Sequence, residues 1–563
     1  MPNWINRIII PVVIIITIAG ISTFFVFQES AFSQSMRKSQ GRCGDGFCDA
    51  KEQADINLCP EDCKGKIDNQ VRSRRVPHPS IKATVIRPMD SDGASSEKSP
   101  FGFHPGNAEN YTYIQDLGAV WSRQGLYLIW TWMDSNRDGS YKFTEAIAPP
   151  KPGAPKSGGK INYDAQWLEA PQDIKIVANI SPFRKGGDFK NSEESEIYQN
   201  FVEKVVERYD GDDDYGCALL APDCYKEGDK QYPAQEVIET FKKNPIKYWQ
   251  VCNQLYDTCE EDCENNYASS FATAQEKTYK GVKTADGSAY VLIAGDSSKG
   301  LYPEVFKKLN GKYIDIIDLH RFGDYDWYNP KKDFDYLKTS LQSSGFDISK
   351  LRFWITETGT YSGDPTAARR KDLPYQSEKQ QAQGLIKAYI SALSCGIEKI
   401  FWAWNIVEGF KRDCGIFDYT GLVYDGCDCV NNRYTCGPGV GYDKGRNVKK
   451  LAYYTYKKMV EILEGSEWSN VQIIQESDDV YIYKFTKQGK PIWVAWNDNE
   501  QEKQITISNI TSGQAKITQA VPKYESGKEV TDYNAAFNTE IKSVNNGKIK
   551  ITLKDISVFM EEK

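Results

Sequence analysis

The chain has 563 residues, with 70 Lys and Arg against 77 Asp and Glu, a net charge of −7. That length suggests three or four folding units, and the mildly acidic balance argues against a nucleic-acid binder working through a basic face. Hydrophobic residues at 40% beside 26% charged exclude wholesale disorder, and 34 Tyr and 13 Trp suit a protein that stacks on sugar rings, although cores consume them too.

In chain order, the first feature is Ile8–Phe27, a run without a charge. As a helix it spans about 30 Å, one bilayer core. Arg7 precedes it, so the positive-inside rule predicts a single-pass anchor with a cytoplasmic N-terminus and the bulk extracellular. The alternative is a cleaved signal peptide, but no small-x-small site follows within the run. Residues 1–27 are thus read as cytoplasmic tip and anchor, 28–42 as a polar stalk, 43–63 as a Cys-rich module and 64–97 as a linker. The module, CGDGFCDAKEQADINLCPEDC, is too short for an apolar core. It resembles small extracellular Cys/Asp modules of the Notch-repeat kind, which bind calcium. The 14 Cys fall in clusters, as expected of disulfides in an exported chain, with Cys395 in an apolar helical stretch as the candidate buried thiol.

Residues 98–465 alternate short apolar runs with helical stretches. The runs are Phe101–His104, Ala119–Gln124, Ile174–Asn179, Lys247–Asn253, Ala289–Gly295, Ile314–His320, Leu351–Glu357 and Lys399–Asn405. Ala382, Leu385, Ile386, Tyr389, Ile390 and Leu393 share one helical face. Eight such alternations predict an α/β fold, a (β/α)8 TIM barrel. From 466 to 563 the period drops to two, in Val480–Phe485, Ile492–Trp496, Gln504–Ser508, Lys516–Ala520 and Lys548–Leu553, which predicts an all-β sandwich.

A barrel carries its chemistry at the C-terminal ends of its strands. Those ends hold His104, Arg123, Asn253, Gln254, His320, Glu357, Trp402 and Trp404. A Glu beside an Arg and a His, with two Trp, reads as a sugar site.

The segment Ser99–Lys458 resembles the clan A retaining glycoside hydrolases, nearest in style to glycoside hydrolase family 39. The residues that carry the resemblance are SPFGFHPGNAENY (Ser99–Tyr111), FVEKVVERYDGD (Phe201–Asp212), PIKYWQVCNQ (Pro245–Gln254), IDLHRFGDYD (Ile317–Asp326), WITETG (Trp354–Gly359), IFWAWN (Ile400–Asn405) and AYYTYKKMVE (Ala452–Glu461). The resemblance implies carbohydrate, an oligo- or polysaccharide, as the partner. It implies Glu357 as nucleophile, kept ionised by Arg123, with Asn253 on the sugar 2-hydroxyl and Trp402 as the floor of the subsite. Where the family has a Tyr supporting the nucleophile, this chain offers Tyr325 or Tyr328.

One departure stands out: Gln254 occupies the position of the acid/base Glu. A carboxamide cannot donate and recover a proton near neutral pH, and losing general acid catalysis costs about 10²–10⁴-fold. Three readings stay open. The barrel binds glycan without cleaving it, as a non-catalytic glycan-binding or cell-envelope protein. Or it is a glycosidase with unusual acid/base chemistry, as myrosinases, which have Gln there, cleave substrates with good leaving groups. Or the Gln is an introduced change. Cys252 and Leu255 also depart from the family context, which favours natural drift. The acidic residues Asp257, Glu260, Glu261, Asp262 and Glu264 follow, and Cys252, Cys259 and Cys263 could fold that loop back.

Finally, DSNRDGSYKFTE (Asp134–Glu145) has the spacing of an EF-hand calcium loop, with Asp134, Asn136, Asp138, the Ser140 carbonyl and Glu145 as ligands. No cofactor is required by the expected chemistry; a structural calcium ion is the one metal expected here.

Overall fold

A computed structural model describes residues 95–148, 159–183, 188–212, 234–255, 263–296, 301–322, 327–365, 373–430, 433–437, 445–499 and 501–563. The expected anchor Ile8–Phe27, the stalk, the Cys-rich module and nearly all of the first linker lie outside them. Among the described residues no helix is long and apolar enough to cross a membrane.

Eight parallel strands form the barrel: β1 (Phe101–Gly106), β2 (Trp121–Gln124), β3 (Lys175–Ser181), β4 (Tyr248–Val251), β5 (Tyr290–Leu292), β6 (Ile316–Phe322), β7 (Arg352–Gly359) and β8 (Lys399–Trp402). Each pairs with the next, and β8 closes on β1. Every strand falls on one of the eight expected runs. The crossover helices show why local sequence and barrel agree. The helix Glu378–Cys395 opens with a capping box between Ser377 and Gln380 and ends on Gly396 at φ 110°, a left-handed conformation that suits glycine. Its six periodic residues from Ala382 to Leu393 are all buried.

The barrel interior is built in layers. Trp121, Val177, Tyr248, Leu292, Ile316, Trp354 and Phe401, one each from β2 to β8, form a closed apolar cluster. β1 contributes Gly102, whose missing side chain leaves room for Phe401; a Cβ there would come within 2.7 Å of the ring. This plug is what the next layer, two residues farther along each strand, stands on.

The second region has eight antiparallel strands: β9 (Gln472–Ser477), β10 (Val480–Lys487), β11 (Lys490–Asn497), β12 (Lys503–Ser508), β13 (Gln514–Gln519), β14 (Thr539–Ser543), β15 (Lys548–Leu553) and β16 (Val558–Glu562). Six form one sheet in the order β9-β10-β11-β16-β13-β14, and β12 pairs with β15. Val480, Ile482, Trp493 and Ala495 of the large sheet share a core with Ile507, Ile549, Ile551 and Leu553 of the small one. β9, β14 and β16 were not among the expected strands. The first two show mostly exposed or half-buried side chains, so period-two hydrophobicity is weak there.

Polar side chains join the two regions. Asp498 accepts from Lys387 Nζ at 2.8 Å and from Trp327 Nε1 at 2.9 Å. Glu378 accepts the amides of Leu451 and Gly527, each at 2.8 Å. Tyr328 also belongs here: its ring packs on Trp327 and on Tyr481 of β10.

Two disulfides, Cys414–Cys429 and Cys427–Cys436, staple the long connection after β8. Cys395 is a buried thiol, as expected, and so is Cys252, which therefore does not tie back the loop after β4.

Replacing Asp498 by Ala should leave the Lys387 ammonium buried without its carboxylate, a loss of about 3–5 kcal/mol. Chemical denaturation checks this; the double replacement Lys387→Met with Asp498→Leu should recover most of the loss.

Candidate active site

In a strand, residues i and i+2 face the same way. Two positions beyond the apolar plug, the barrel interior turns polar: Arg123, Asn179, Gln250, Asp318 and Thr356 are all fully buried. Buried polar groups persist only when hydrogen-bonded to one another. Arg123 Nε donates to Gln250 Oε1 at 2.5 Å, and Gln250 Nε2 donates to Asp318. Asp318 also accepts from the Thr356 amide at 2.8 Å and hydroxyl at 2.5 Å. Asn179 donates to the Cys252 carbonyl at 2.5 Å, holding the end of β4 where it turns toward Asn253.

Glu357 sits on this layer. The pairing of β7 with β6 shifts register between Ile355 and Glu357. Such an irregularity re-aims a side chain. It lets consecutive residues serve the interior, Thr356 bonding downward to Asp318 and Glu357 reaching Arg123 Nη1 at 2.5 Å. The same Glu357 carboxylate lies 3.4 Å from His320 Nδ1 and 3.6 Å from His104 Nε2. Arg123 Nη2 donates to Asn253 Oδ1 at 2.9 Å. Glu357, Arg123, His104, His320 and Asn253 are therefore brought together at one mouth.

The electrostatics differ from the sequence expectation in one respect. Arg123 and His320 both favour the Glu357 carboxylate, but burial works against it more strongly, and the carboxyl lies above its ordinary range. Burial and the Arg123 charge together hold the His104 imidazole well below the usual histidine range, so it is a neutral ring at pH 7.

No protein-family model and no curated protein sequence matches the chain. Solved structures do. A family 39 glycoside hydrolase from the gut symbiont Bacteroides cellulosilyticus WH2 is 12% identical, with 84% of this chain and 82% of that one covered at a TM-score of 0.51. An arabinofuranosidase crystal structure is 11% identical, with 83% and 96% covered at a TM-score of 0.50. At such identities the likeness is one of fold. The chain is built on a scaffold of the kind solved for glycoside hydrolases.

The other candidates differ in their surroundings. Gln254 is exposed, three residues past the end of β4. Tyr325 and the acidic loop residues Asp257, Glu260, Glu261 and Asp262 lie outside the described residues, as does the side chain of Glu264. Tyr328 is not at the mouth, because its ring is spent on the antiparallel sheet. The expected sugar floor is also corrected. Trp402 is 1% exposed and its Nε1 donates to the Thr420 carbonyl at 3.0 Å. Trp404 is the half-buried ring, 4.5 Å edge-on from His104 and stacked at 4.7 Å on Phe410, which is 36% exposed. Trp404 and Phe410 offer the apolar faces that Trp402 cannot.

Sequence reading missed Tyr127, whose hydroxyl donates to Asn253 Oδ1 at 2.9 Å beside Arg123 Nη2. Nothing in its loop marks it. It also missed Gln250, Asp318 and Thr356, which had a signal: each is a polar residue on the inward face of an otherwise apolar strand.

In the Asp134–Glu145 loop, Asp134 is buried and its carboxylate accepts the amides of Asp138 at 3.1 Å and Gly139 at 2.9 Å. Gly139 has φ 85°, as the sixth position of a calcium loop requires. Asn136 and Ser140 are exposed. Glu145 is turned to Lys160 at 3.7 Å and is half exposed. The twelfth-position carboxylate is thus engaged by Lys160.

Arg123→Ala should destabilise the protein by about 3–5 kcal/mol at pH 7, because an ionised Glu357 is left buried without its partner. The loss should shrink in urea titrations at lower pH, where Glu357 takes up a proton in the folded state. An equal loss at pH 7 and pH 5 would show that the charge pair is not what the site rests on.

Proposed function

We propose that the chain is a retaining O-glycosidase scaffold acting on oligo- or polysaccharide, with Glu357 as nucleophile and impaired acid/base chemistry at Gln254. One observation carries this reading: a carboxylate is held buried against Arg123 and two imidazoles at the C-terminal ends of the strands. That placement is costly for folding alone. Glycoside hydrolases among the solved structures of similar fold support the substrate class.

In this reading Glu357 attacks the anomeric carbon, the bond to the leaving oxygen breaks with its electron pair, and a glycosyl ester forms on Glu357. Arg123 and His320 stabilise the carboxylate as it re-forms. Asn253, fixed by Arg123 and Tyr127, presents its amide NH₂ to a sugar hydroxyl, and Trp404 supplies a stacking face. Water then attacks the same carbon from the other side, and two inversions give retention. Both steps need a proton moved, to the leaving oxygen and then from the water, and Gln254 can do neither. Substrates with good leaving groups escape the first requirement.

Activated aryl glycosides test this. Turnover should depend on Glu357 and rise with azide, which replaces water without needing a base and should give a glycosyl azide of retained configuration. Because the ionised form is the nucleophile and its pKa is raised, the acid limb of kcat/KM should lie above the ordinary glutamate range. Gln254→Glu should raise turnover of unactivated glycosides by about 10²-fold or more, and Glu357→Ala should abolish the gain. No turnover by any variant, with glycan binding retained, leaves the second reading, a non-catalytic glycan-binding or cell-envelope protein. The carboxamide of Gln254, which has no proton to give and recover near neutral pH, is the observation that favours it.

We place the protein outside the cytoplasm, anchored through Ile8–Phe27. The disulfides Cys414–Cys429 and Cys427–Cys436 support an oxidising compartment. A structural calcium ion at Asp134–Glu145 is part of the same proposal: added calcium should raise the melting temperature, and Asp134→Asn should reduce that response. A melting temperature indifferent to calcium and to chelator would exclude it.

A further inference from the structure

The end of the barrel opposite the candidate active site carries a second acidic group. The helix Ser192–Tyr209 follows β3 and runs back to the N-terminal ends of the strands, where the Tyr209 carbonyl accepts from the Ile246 amide at 2.9 Å, just before β4 begins. Within and just past its last turn, Glu207, Asp210 and Asp212 each bring a carboxylate oxygen to within 4.8 Å of the other two. Gly211 sits between the two aspartates at φ 89°, and a Cβ there would come within 2.3 Å of the Phe241 carbonyl, so only glycine makes this turn.

Three acids so close repel one another, and their surroundings add to the cost. Asp210 is 3% exposed, and its Oδ2 is buried with no hydrogen-bond partner among the described residues. Its Oδ1 accepts the Asp212 amide at 3.2 Å, which aims the carboxylate into the cluster. The C-terminal end of a helix carries partial negative charge, which compounds the repulsion and favours a cation. Arg208 is bound to Asp164 through Nε and Nη2, and Lys247 Nζ holds Asp286 at 2.6 Å while its charge also favours the ionised form of Asp210. A buried carboxylate oxygen without a donor is expensive, and coordination of a hard cation is one of the few ways to satisfy it.

We propose that Glu207, Asp210 and Asp212 hold a divalent cation, calcium, as a structural site at the base of the barrel. Calcium suits the set because it takes carboxylate oxygens in irregular geometry, with water completing the shell. Asp212 is exposed and gives the ion its way in. The ion would bind the end of the helix that follows β3 to the start of β4, the strand that leads to Asn253. Its role is stability, as befits the N-terminal face of a barrel.

Calorimetric titration of the chelated full chain with calcium chloride tests this. Wild type should show a binding event in the range of about 10⁻⁵–10⁻³ M. Asp212→Asn, at an exposed position that folding tolerates, should weaken that event at least tenfold, and Asp210→Asn should remove it. Asp134→Asn, in the other candidate loop, should leave it in place. Calcium should raise the melting temperature of wild type by more than it does that of Asp212→Asn. Unchanged stoichiometry and affinity in Asp212→Asn would overturn the proposal. So would the absence of calcium binding in wild type, which would mean that Asp210 is buried as a neutral acid.

Discussion

The Arg123 guanidinium organises the upper half of the barrel. It is fully buried and reaches four partners on different elements: Glu357 of β7, Gln250 of β4, His104 of β1 and Asn253 beyond β4. A planar, permanently charged fork can hold several acceptors in fixed directions, which an ammonium cannot. Its position depends in turn on the layer beneath, since Trp121, two residues earlier on β2, packs edge-on against Trp354 and Tyr248. The apolar plug sets the height at which polarity can begin.

That layering explains why a carboxylate can be kept in a place so poor in water. Glu357 is raised by burial and rescued in part by Arg123 and His320. Burial and the neighbouring charges thus pull this carboxyl in opposite directions. Gln254 stands in contrast. It is an exposed residue just past the end of β4, whereas Glu357 is almost fully buried.

The antiparallel region is tied to the barrel by buried polar bonds as much as by apolar contact. Asp498 gathers Lys387 and Trp327, and Glu378 gathers two backbone amides from either side of the joint. Both acids place their polar bonds across this joint. Tyr328 illustrates the consequence: a ring that adjacency in sequence places near the mouth is drawn instead into the joint by Trp327 and Tyr481.

The sequence by itself determined the eight barrel strands, because parallel strands covered on both faces read as short apolar runs, and the capped helix Glu378–Cys395, because its period and its end signals agree. It also determined that Arg123, His104, His320, Asn253 and Glu357 lie at strand ends. Only the tertiary structure decided what those ends do. Which of Trp402 and Trp404 stays accessible depends on the chain that folds over β8. The inward pairing of Thr356 with Glu357 depends on a register shift that no periodicity announces. Tyr127 comes to Asn253 from a loop with no pattern at all. The reason is the same in each case: sequence periodicity reports which face of an element is buried, whereas the site is made by the closing of eight strands, which brings together residues hundreds of positions apart.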